Sequence, residues 1–414
     1  MPRPGGLAAE YPGSGAGRAA TWSASAASGQ RLCWHGRRIA GSMSTSTSEL
    51  RWALGDERDF AALADDWRRL EHRHRYRSVF LSHGWLDAAW QWRRQDAQLS
   101  VATLSGAGDL RAALVLQRQR TRLHKVPVRC LQCLTVPDSQ EVDLLCDQHH
   151  EVAVAMALPD LLQQLQDWDV LELKPLRADA MALACLPPAL AATGLRTRID
   201  SAGDNPVVPL AGGWERYYSS RSRRLKKGNN LIANRLRRKY QRIELQELPL
   251  ASREERALAR RLLTDISADS WKAQQTSTCF DQPGPGRFLE RLLARLGDAG
   301  RVRAWVLSLD GRAAAAELQL DDGETLSALR ADFRQALQQD SPGSYLNWKL
   351  LEHLFTERDG LYRMGPGANA YKARWQVTAQ PLQRLLVFNA TIAGRAAWVA
   401  SRWRQALAER PPKD

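Results

Sequence analysis

The stretch that decides the fold is residues 341–375, which read SPGSYLNWKLLEHLFTERDGLYRMGPGANAYKARW. Apolar residues at positions 346, 350 and 354, with 351 and 355 beside them, recur at spacings of three and four and predict a helix with one buried face. Ser341 can cap this helix, and Pro342 suits its first position. Gly360 is placed to end it, and residues 361–364 can then enter a sheet. A Gly-Pro-Gly corner and a second helical turn follow.

The start of this helix has the features of an anion site. Gly343 carries no side chain, so the protein backbone can come close to a ligand there. The first N–H groups of a helix lack intrahelical partners and lie at the positive end of the helix dipole, which favours a phosphate or a pyrophosphate. Segment 341–344 is therefore a candidate phosphate-binding segment.

The order of these elements resembles the acyl-CoA-binding half of GNAT-superfamily acyltransferases, in which a strand leads to a phosphate-binding loop, a helix, another strand and a helix carrying a tyrosine. Residues 341–343, 365–367 and 371–375 are similar to the CelD-like acetyltransferase domain associated with cellulose and exopolysaccharide biosynthesis, itself similar to the Fem peptidoglycan-branching transferases. Arg363 departs from that pattern, because this family usually carries an aspartate there. The resemblance implies an α/β protein with tandem GNAT-like domains, built from mixed sheets flanked by helices.

Patterns along the rest of the chain agree with two such units. Residues 1–48, rich in Gly, Ala and Ser, are predicted to be a disordered leader, with Met43 as an alternative start. Residues 49–205 are predicted to form an N-terminal GNAT-like domain, and residues 206–409 a C-terminal domain that binds the acyl donor. Strands are predicted at residues 98–104, 110–119, 128–136, 170–173, 195–199, 302–309, 313–320, 325–333, 361–364 and 383–388. Helices are predicted at residues 60–71, 151–165, 214–240, 253–266 and 395–409.

The positive charge of the chain is concentrated in two places. The formal net charge is +14; residues 221–242 contain ten Lys and Arg and no acid, residues 1–48 contain five Arg and one Glu, and the remainder balances. Apolar residues at positions 225, 231, 232 and 236 predict that the first segment is a helical surface. This surface, with Arg237, Arg238 and Lys239, is interpreted as either a solvated face or a site for an anionic substrate or membrane, and a nucleic-acid partner is not favoured.

Cysteine usage and apolar runs bear on location and metal binding. No run approaches the ~18 apolar residues of a spanning helix, and the start lacks an export signal, so a cytoplasmic protein is expected. Cys130, Cys133, Cys146 and His149 have spacings tolerable for zinc. Residues three apart on a strand point to opposite faces, however, so no metal is predicted. The aromatic residues Phe80, Trp85, Trp90 and Trp92 are predicted to be core and domain-contact residues.

The resemblance also suggests catalytic residues. Strand 325–333 corresponds to the strand that splays from its neighbour and pairs with the pantetheine arm of the donor. Glu317 on the adjoining strand and Asp332 at the exit of the splayed strand are candidates to accept a proton from an amine, with a solvated or ion-paired role as the alternative. Tyr371, after Asn369, is a candidate to protonate the leaving thiolate, or else a packing residue. Lys372 can hold a phosphate or lie in solvent.

These observations lead to one principal hypothesis. The protein is expected to transfer an acyl group, with acetyl as the favoured one, from acyl-CoA to an amine by direct attack. Ser341, Gly343 and Ser344 are expected around the pyrophosphate, and the acceptor is expected between the domains. The acceptor is expected to be a small or lipid-linked anionic amine in polysaccharide or cell-envelope biosynthesis, and a location in the cytoplasm or at the inner membrane face fits that substrate. Two alternatives stay open: a Fem-like aminoacyl-tRNA-dependent transferase, and a non-catalytic scaffold that binds anions.

Overall fold

The structure, a computed structural model, describes residues 50–270, 273, 278–367 and 371–408. The predicted leader and Asn369 lie outside these residues. Within them, no helix combines the length and the apolar character needed to cross a membrane.

The described chain alternates strands and helices. The strands are β1 (Arg51–Gly55), β2 (Gln98–Gly106), β3 (Asp109–Leu123), β4 (Val126–Cys133), β5 (Leu145–Cys146), β6 (Val170–Arg177), β7 (Arg196–Pro209), β8 (Ile243–Glu247), β9 (Val302–Leu309), β10 (Arg312–Asp321), β11 (Thr325–Phe333), β12 (Leu361–Arg363) and β13 (Thr378–Phe388). The helices are α1 (Glu57–Ala62), α2 (Ala64–Arg73), α3 (His83–Arg93), α4 (Glu151–Gln164), α5 (Met181–Ala191), α6 (Trp214–Ser219), α7 (Arg223–Lys239), α8 (Arg253–Ala268), α9 (Pro283–Leu296), α10 (Pro342–Glu357), α11 (Lys372–Trp375) and α12 (Ile392–Ala408).

All of these strands belong to one mixed sheet. Their order is β1-β2-β3-β4-β6-β13-β7-β12-β11-β10-β9-β8, and β5 pairs with β3. The pairs β4–β6 and β11–β12 are parallel, whereas the pairs on either side of them are antiparallel. Helices cover both faces of the sheet, as a sheet with buried parallel strands requires. The predicted α/β class, a mixed sheet flanked by helices, is confirmed.

The two halves of the chain exchange their last strands in the middle of the sheet. β7, the last strand of the first half, pairs with β12 of the second half, and β13, the last strand of the second half, pairs with β6 of the first. The two exchanged strands also pair with each other, from Thr378 opposite Val207 to Phe388 opposite Arg196. The boundary predicted at residue 206 falls inside β7 and stays a prediction.

The hydrophobic cores follow this exchange. Leu385 and Val387 of β13 are fully buried in the core of the first half, beneath α4 and α5. Val208 of β7 and the nearby Leu210 are buried in the core of the second half, against α10. Burying a side chain of this size contributes about 1.5–3 kcal/mol. Each half therefore depends on the other for part of its apolar interior.

A third core joins the halves through aromatic residues. Trp85 of α3 meets Phe288 of α9 edge to face at 5.3 Å, and Trp92 lies 5.5 Å from the same ring. Phe80 and Trp90 are buried in the same cluster, together with side chains of β9 and β10. The predicted core and contact role of this aromatic segment is confirmed.

The start of α10 differs from the sequence prediction in one respect. Ser341 does not cap the helix, because it ends a preceding 3-10 helix with a left-handed backbone (φ 57°) and its hydroxyl makes no capping hydrogen bond. Gly360 does not end the helix as predicted, because the helix already stops at Glu357. A Cβ at residue 360 would lie 2.5 Å from the carbonyl oxygen of Glu324, so glycine lets the chain pass close to the start of β11.

Arg363 of β12 holds the two halves together. Its Nη1 donates to Glu141 Oε2 at 3.0 Å, and its Nε donates to Gln380 Oε1 at 2.8 Å. Both side chains of the ion pair are almost fully buried, at 4% and 3% exposure. A buried charge that loses its partner costs far more than an exposed one, so this pair constrains how β12 sits against the 134–144 loop of the first half.

Replacing Arg363 by Met should therefore destabilise the protein strongly, by about 3–5 kcal/mol, because Glu141 would stay buried without its partner. Urea unfolding measures this loss. The double variant Arg363→Met/Glu141→Leu should recover most of it, since no charge is then left buried. The matched control is Arg68→Met in the exposed Arg68–Asp65 pair, which should cost less than about 1 kcal/mol. Equal losses in the two single variants would contradict this assignment.

Candidate active site

The site lies where two parallel strands separate. β11 pairs with β12 only from Thr325 to Ser327, opposite Leu361 to Arg363. β11 then continues to Phe333, paired on its other side with β10. Beyond Ser327, no strand of the described chain pairs with the free side of β11. The sheet therefore opens into a cleft whose wall carries backbone hydrogen-bonding groups.

Helix α10 starts at the mouth of this cleft. Pro342 and Gly343 form its first turn, and Gly343 faces the end of β11. A Cβ at residue 343 would lie 3.1 Å from Cδ1 of Phe333, so any residue other than glycine would push that ring aside. The first turn of the helix, with its N–H groups, is thus held directly against the separated strand.

A cavity of about 620 Å³ fills the cleft. Six of the residues proposed from the sequence line it together: Glu317, Asp332, Gly343, Ser344, Tyr371 and Lys372. Ser341, Arg237, Arg238 and Lys239 are not part of its lining. The first half of the chain contributes residues 137–140 to the opposite wall. The cavity therefore lies between the halves and draws residues from both.

Glu317 forms the floor of the cavity and is completely buried. Its Oε1 accepts hydrogen bonds from the Tyr362 hydroxyl at 2.7 Å and from Gln319 Nε2 at 2.8 Å. Its Oε2 has no hydrogen-bond partner among the described residues. Burial raises the pKa of Glu317 above its ordinary value of 4.5, and the two hydrogen bonds lower it in part. The carboxyl group thus has one oxygen held in place and one available to exchange a proton.

Tyr371 lies on the same side of the cavity. The Asn347 amide donates to the Tyr371 hydroxyl over a long 3.4 Å. Burial raises the pKa of Tyr371 above its ordinary value of 10.0, and the charge of Glu317 raises it further. Tyr371 therefore keeps its proton throughout the neutral range, as a proton donor must.

The end of β11 and the 137–140 segment share a polar network. Asp332 lies opposite Ala316, one position away from Glu317 in the register of β10. Arg330 of the same strand donates to Asp138 Oδ2 at 2.5 Å and to the Thr278 carbonyl at 2.6 Å. Gln140 donates to the carbonyl of Ala328, the first β11 residue beyond the pairing with β12, at 2.7 Å. The 137–140 segment is therefore bonded to the separated part of β11.

Basic residues surround the start of α10 on the other side. Arg235 of α7 donates to the Ser341 hydroxyl at 3.3 Å, and Lys239 donates to Asp340 Oδ2 at 2.5 Å. Lys372 Nζ donates to the carbonyl oxygens of Gly365 and Pro366 at 2.8 and 3.0 Å, and so holds the glycine corner next to the cavity. The basic helix thus lies beside the segment proposed to bind phosphate, although Arg237 and Arg238 remain exposed.

Three residues of this site did not emerge from the sequence. Tyr362 was predicted only as part of a strand. Gln319 lay in a strand of small and apolar residues in which only Glu317 was singled out. Asn347 lay among the apolar residues of the helix. A polar residue on the buried side of a predicted strand or helix was the available signal, because buried polar groups need partners.

Cys130, Cys133 and Cys146, the cysteines with zinc-like spacing, do not line this cavity. Cys130 and Cys133 are buried on β4, and Cys146 is buried on β5. Burial raises the pKa of the Cys130 thiol to about 12, so this group stays protonated at neutral pH. Within the described ranges, no three His, Cys, Asp or Glu side chains are grouped so that they could hold a metal.

Sequence and structure comparisons define the class of this site. Residues 232–373 match the profile of the acetyltransferase (GNAT) domain, a segment that includes β8–β12 and α10. This segment, about a third of the chain, is therefore similar to a GNAT acetyltransferase domain. A search of curated protein sequences gave no match.

Three solved structures have the same overall fold. The crystal structure of FemX is 9% identical with a TM-score of 0.52, covering 78% of this chain and 95% of FemX. The C-terminal domain of a putative lysylphosphatidylglycerol synthetase from Agrobacterium fabrum is 12% identical with a TM-score of 0.52, covering 83% and 96%. L-PGS from Bacillus licheniformis is 12% identical with a TM-score of 0.51, covering 84% and 97%. At these identities the likeness shows a shared fold alone.

The environment of Glu317 makes a prediction about stability and pH. Because burial raises its pKa, the folded protein keeps this proton at pH values where the unfolded chain has lost it. Stability should therefore fall as pH rises from about 4.5 through the raised pKa. Glu317→Gln cannot ionise, so its melting temperature relative to wild type should increase from pH 4.5 to pH 8.

The control is Glu324→Gln, which removes an exposed carboxylate from the adjacent turn. A Glu317→Gln difference that stays constant or decreases with rising pH, measured by thermal unfolding in matched buffers, would disprove the raised pKa.

Proposed function

We propose that this protein is an N-acyltransferase that moves an acyl group, with acetyl as the favoured one, from acyl-CoA to an amine. The observation that carries the proposal is the cavity in which the free side of β11, the first turn of α10, Glu317 and Tyr371 come together. The GNAT match covers these four features and supports the reaction class.

The residues around the cleft fit an acyl-CoA. The first turn of α10, through Gly343 and Ser344, would hold the pyrophosphate with backbone N–H groups. The unpaired side of β11 offers hydrogen-bonding groups to the amides of the pantetheine arm. Arg235 and Lys239 lie next to Ser341 and Asp340 and add positive charge where the phosphates would lie. In this arrangement the basic helix serves the donor as well as the acceptor.

The remaining groups divide the proton transfers. The amine nitrogen forms a bond to the thioester carbonyl carbon, and the carbon–sulfur bond breaks. Glu317, through Oε2, would take the proton that the amine loses; its raised pKa makes it a stronger base than an exposed carboxylate. Tyr371 would give a proton to the thiolate. Asp332, one register position away, is the alternative base.

The acceptor would enter between the halves, along the wall formed by residues 137–140. Asp138 is engaged with Arg330 there, so the wall is polar and charged. An acceptor in polysaccharide or cell-envelope biosynthesis is favoured only by the similarity of three short motifs, residues 341–343, 365–367 and 371–375, to the CelD-like domain.

Aminoacyl transfer is the second candidate, because the basic helix α7 lies beside the start of α10. The names of the solved structures, FemX and lysylphosphatidylglycerol synthetase, agree with that candidate. Incubation with labelled acetyl-CoA or with labelled aminoacyl-tRNA, in the presence of amine acceptors, separates the two: release of free thiol from acetyl-CoA supports the first, and loss of label from the tRNA supports the second.

Donor binding should depend on Gly343. In Gly343→Val the new side chain meets the Phe333 ring and blocks backbone approach at the first turn of α10. Calorimetry should show that acetyl-CoA binding is lost while the far-UV circular dichroism spectrum is unchanged. Gly228→Val, on α7 with open space around it, is the control for a β-branched residue in a helix. Equal donor affinity in a folded Gly343→Val protein would sink the phosphate-binding assignment.

Proton donation should depend on the Tyr371 hydroxyl. Tyr371→Phe keeps the ring, so kcat should fall by about 10²–10⁴-fold while donor affinity barely changes. Donors with better thiol leaving groups should recover part of the loss. Tyr345→Phe, on the first turns of α10 but outside the cavity lining, is the control. A Tyr371→Phe rate within about twofold of wild type, with chemistry rate-limiting, would remove Tyr371 from the mechanism.

A further inference from the structure

Helix α12 presents an apolar stripe to solvent. Ile392, Val399 and Trp403 are spaced seven and four residues apart, which places them on one face of the helix. Their side chains are 91%, 52% and 70% exposed. Single exposed apolar residues are ordinary, but three aligned on one helix form a surface that lacks a partner within the described chain. We call these three residues the α12 stripe.

The opposite face of α12 is firmly attached to the sheet. Ala397 and Ser401 are fully buried, and Trp398 packs edge to face on Phe388 of β13 at 5.3 Å. The core beneath the helix contains Leu123 and other apolar residues of β3, β4, β6 and β13. The stripe is therefore held on the outside of a helix that cannot easily rotate to bury it.

Basic residues without acidic neighbours in sequence flank the stripe. Helix α12 contains Arg395, Arg402 and Arg404 and no acidic residue. Strands β3 and β4 contain no acid between Leu110 and Arg129. The turn of the hairpin that joins these two strands carries the exposed Lys125. Arg118, Arg120 and Arg122 alternate with Leu123 along β3, so they lie on the face of the sheet opposite α12.

The hairpin and the helix lie side by side. Val126 and Val128 of β4 belong to the same small core as Ala397 and Trp398 of α12. Burial lowers the pKa of His124 at the hairpin turn, and the nearby charge of Arg404 lowers it further. The acidic residues in this region are bonded to arginines of their own; these pairs are Asp200–Arg198, Glu172–Arg384, Asp167–Arg129 and Asp169–Arg129.

We propose that the α12 stripe, with the arginines of α12 and Lys125 beside it, docks this protein on an anionic membrane surface. Ile392, Val399 and Trp403 would enter the boundary between headgroups and acyl chains, where tryptophan is favoured. The arginines and Lys125 would contact the lipid phosphates, each adding to the attraction. The inference stands apart from the catalytic proposal, because none of these residues lines the active-site cavity.

The chemistry of the surface separates this partner from two others. A two-fold contact between copies of the chain would place the arginines of one copy against those of the next, which is unfavourable. A nucleic acid would use the basic residues but would gain little from exposed Ile392 and Val399, because base recognition relies on stacking and hydrogen bonds. An anionic bilayer satisfies both the charge and the apolar stripe.

The test is co-sedimentation of the full chain with vesicles of phosphatidylglycerol and phosphatidylcholine, compared with vesicles of phosphatidylcholine alone. Wild type should bind the anionic vesicles and lose this binding at high salt. Ile392→Ser/Trp403→Ser and Arg395→Ser/Arg402→Ser should each lower the partition coefficient by about tenfold or more. Unchanged melting temperatures would show that these exposed substitutions leave the fold intact.

Two control variants make the test specific. Val152→Ser/Met156→Ser removes a comparably exposed apolar pair from α4, at 72% and 59% exposure, and should bind like wild type. Arg237→Ser/Arg238→Ser removes charge from the other basic helix and should retain most of the binding. The proposal is overturned if wild type does not bind anionic vesicles, or if the α7 variant loses binding while the α12 variant keeps it. It is also overturned if the α12 variant instead converts a dimer to a monomer in sedimentation equilibrium, or abolishes RNA binding alone.

Discussion

The antiparallel pairing of β7 with β13 is the interaction on which the rest of this structure depends. These two strands form the middle of the sheet. On its other side, each one pairs with a strand from the other half: β7 with β12, and β13 with β6. Their apolar side chains complete the core of the half that did not supply them. Strand β12 pairs with β7 on one side and with β11 on the other, over the same three residues. The exchange therefore sets the position of β12 beside β11. The opening between β11 and β12, and hence the cavity, follows from the way the middle of the sheet is built.

The contacts that stabilise the join between the halves also shape the cavity. The 134–144 loop is tied to the second half by Asp138 to Arg330, by Gln140 to the Ala328 carbonyl and by Glu141 to Arg363. Since buried charges and amides need partners, each of these bonds restricts where the loop can lie. Arg363 stands where the family that the sequence resembles usually carries an aspartate, and its contacts give it a structural role. Arg363 faces Glu141, while the neighbouring Tyr362 faces Glu317.

Local patterns in the sequence were enough for elements whose cause is local. The apolar spacing of α10 and the two turns between β9, β10 and β11 predicted those elements almost to the residue. Helix α9 was missed because it begins with Pro-Gly-Pro-Gly, which is typical of a loop, although proline is tolerated in a first turn. The exchange of β7 and β13 was not predictable, since strand pairing between distant segments leaves no periodic trace. Summed charge was also misleading: everything outside two segments balanced to zero, yet the basic residues of the β3–β4 hairpin cluster on one surface while the compensating acids lie elsewhere.

The place of β13 in the sheet has a consequence for biosynthesis. Among the described strands it is the last to leave the ribosome, yet it belongs between two strands made much earlier. Until it arrives, β6 and β7 expose unpaired edges, and the first half lacks Leu385 and Val387 in its interior. A nascent chain in this condition can mispair with other strands, including those of neighbouring chains. Both cores can therefore be completed only after nearly all of the described chain has been translated. Folding is expected to be slow and to depend on protein concentration.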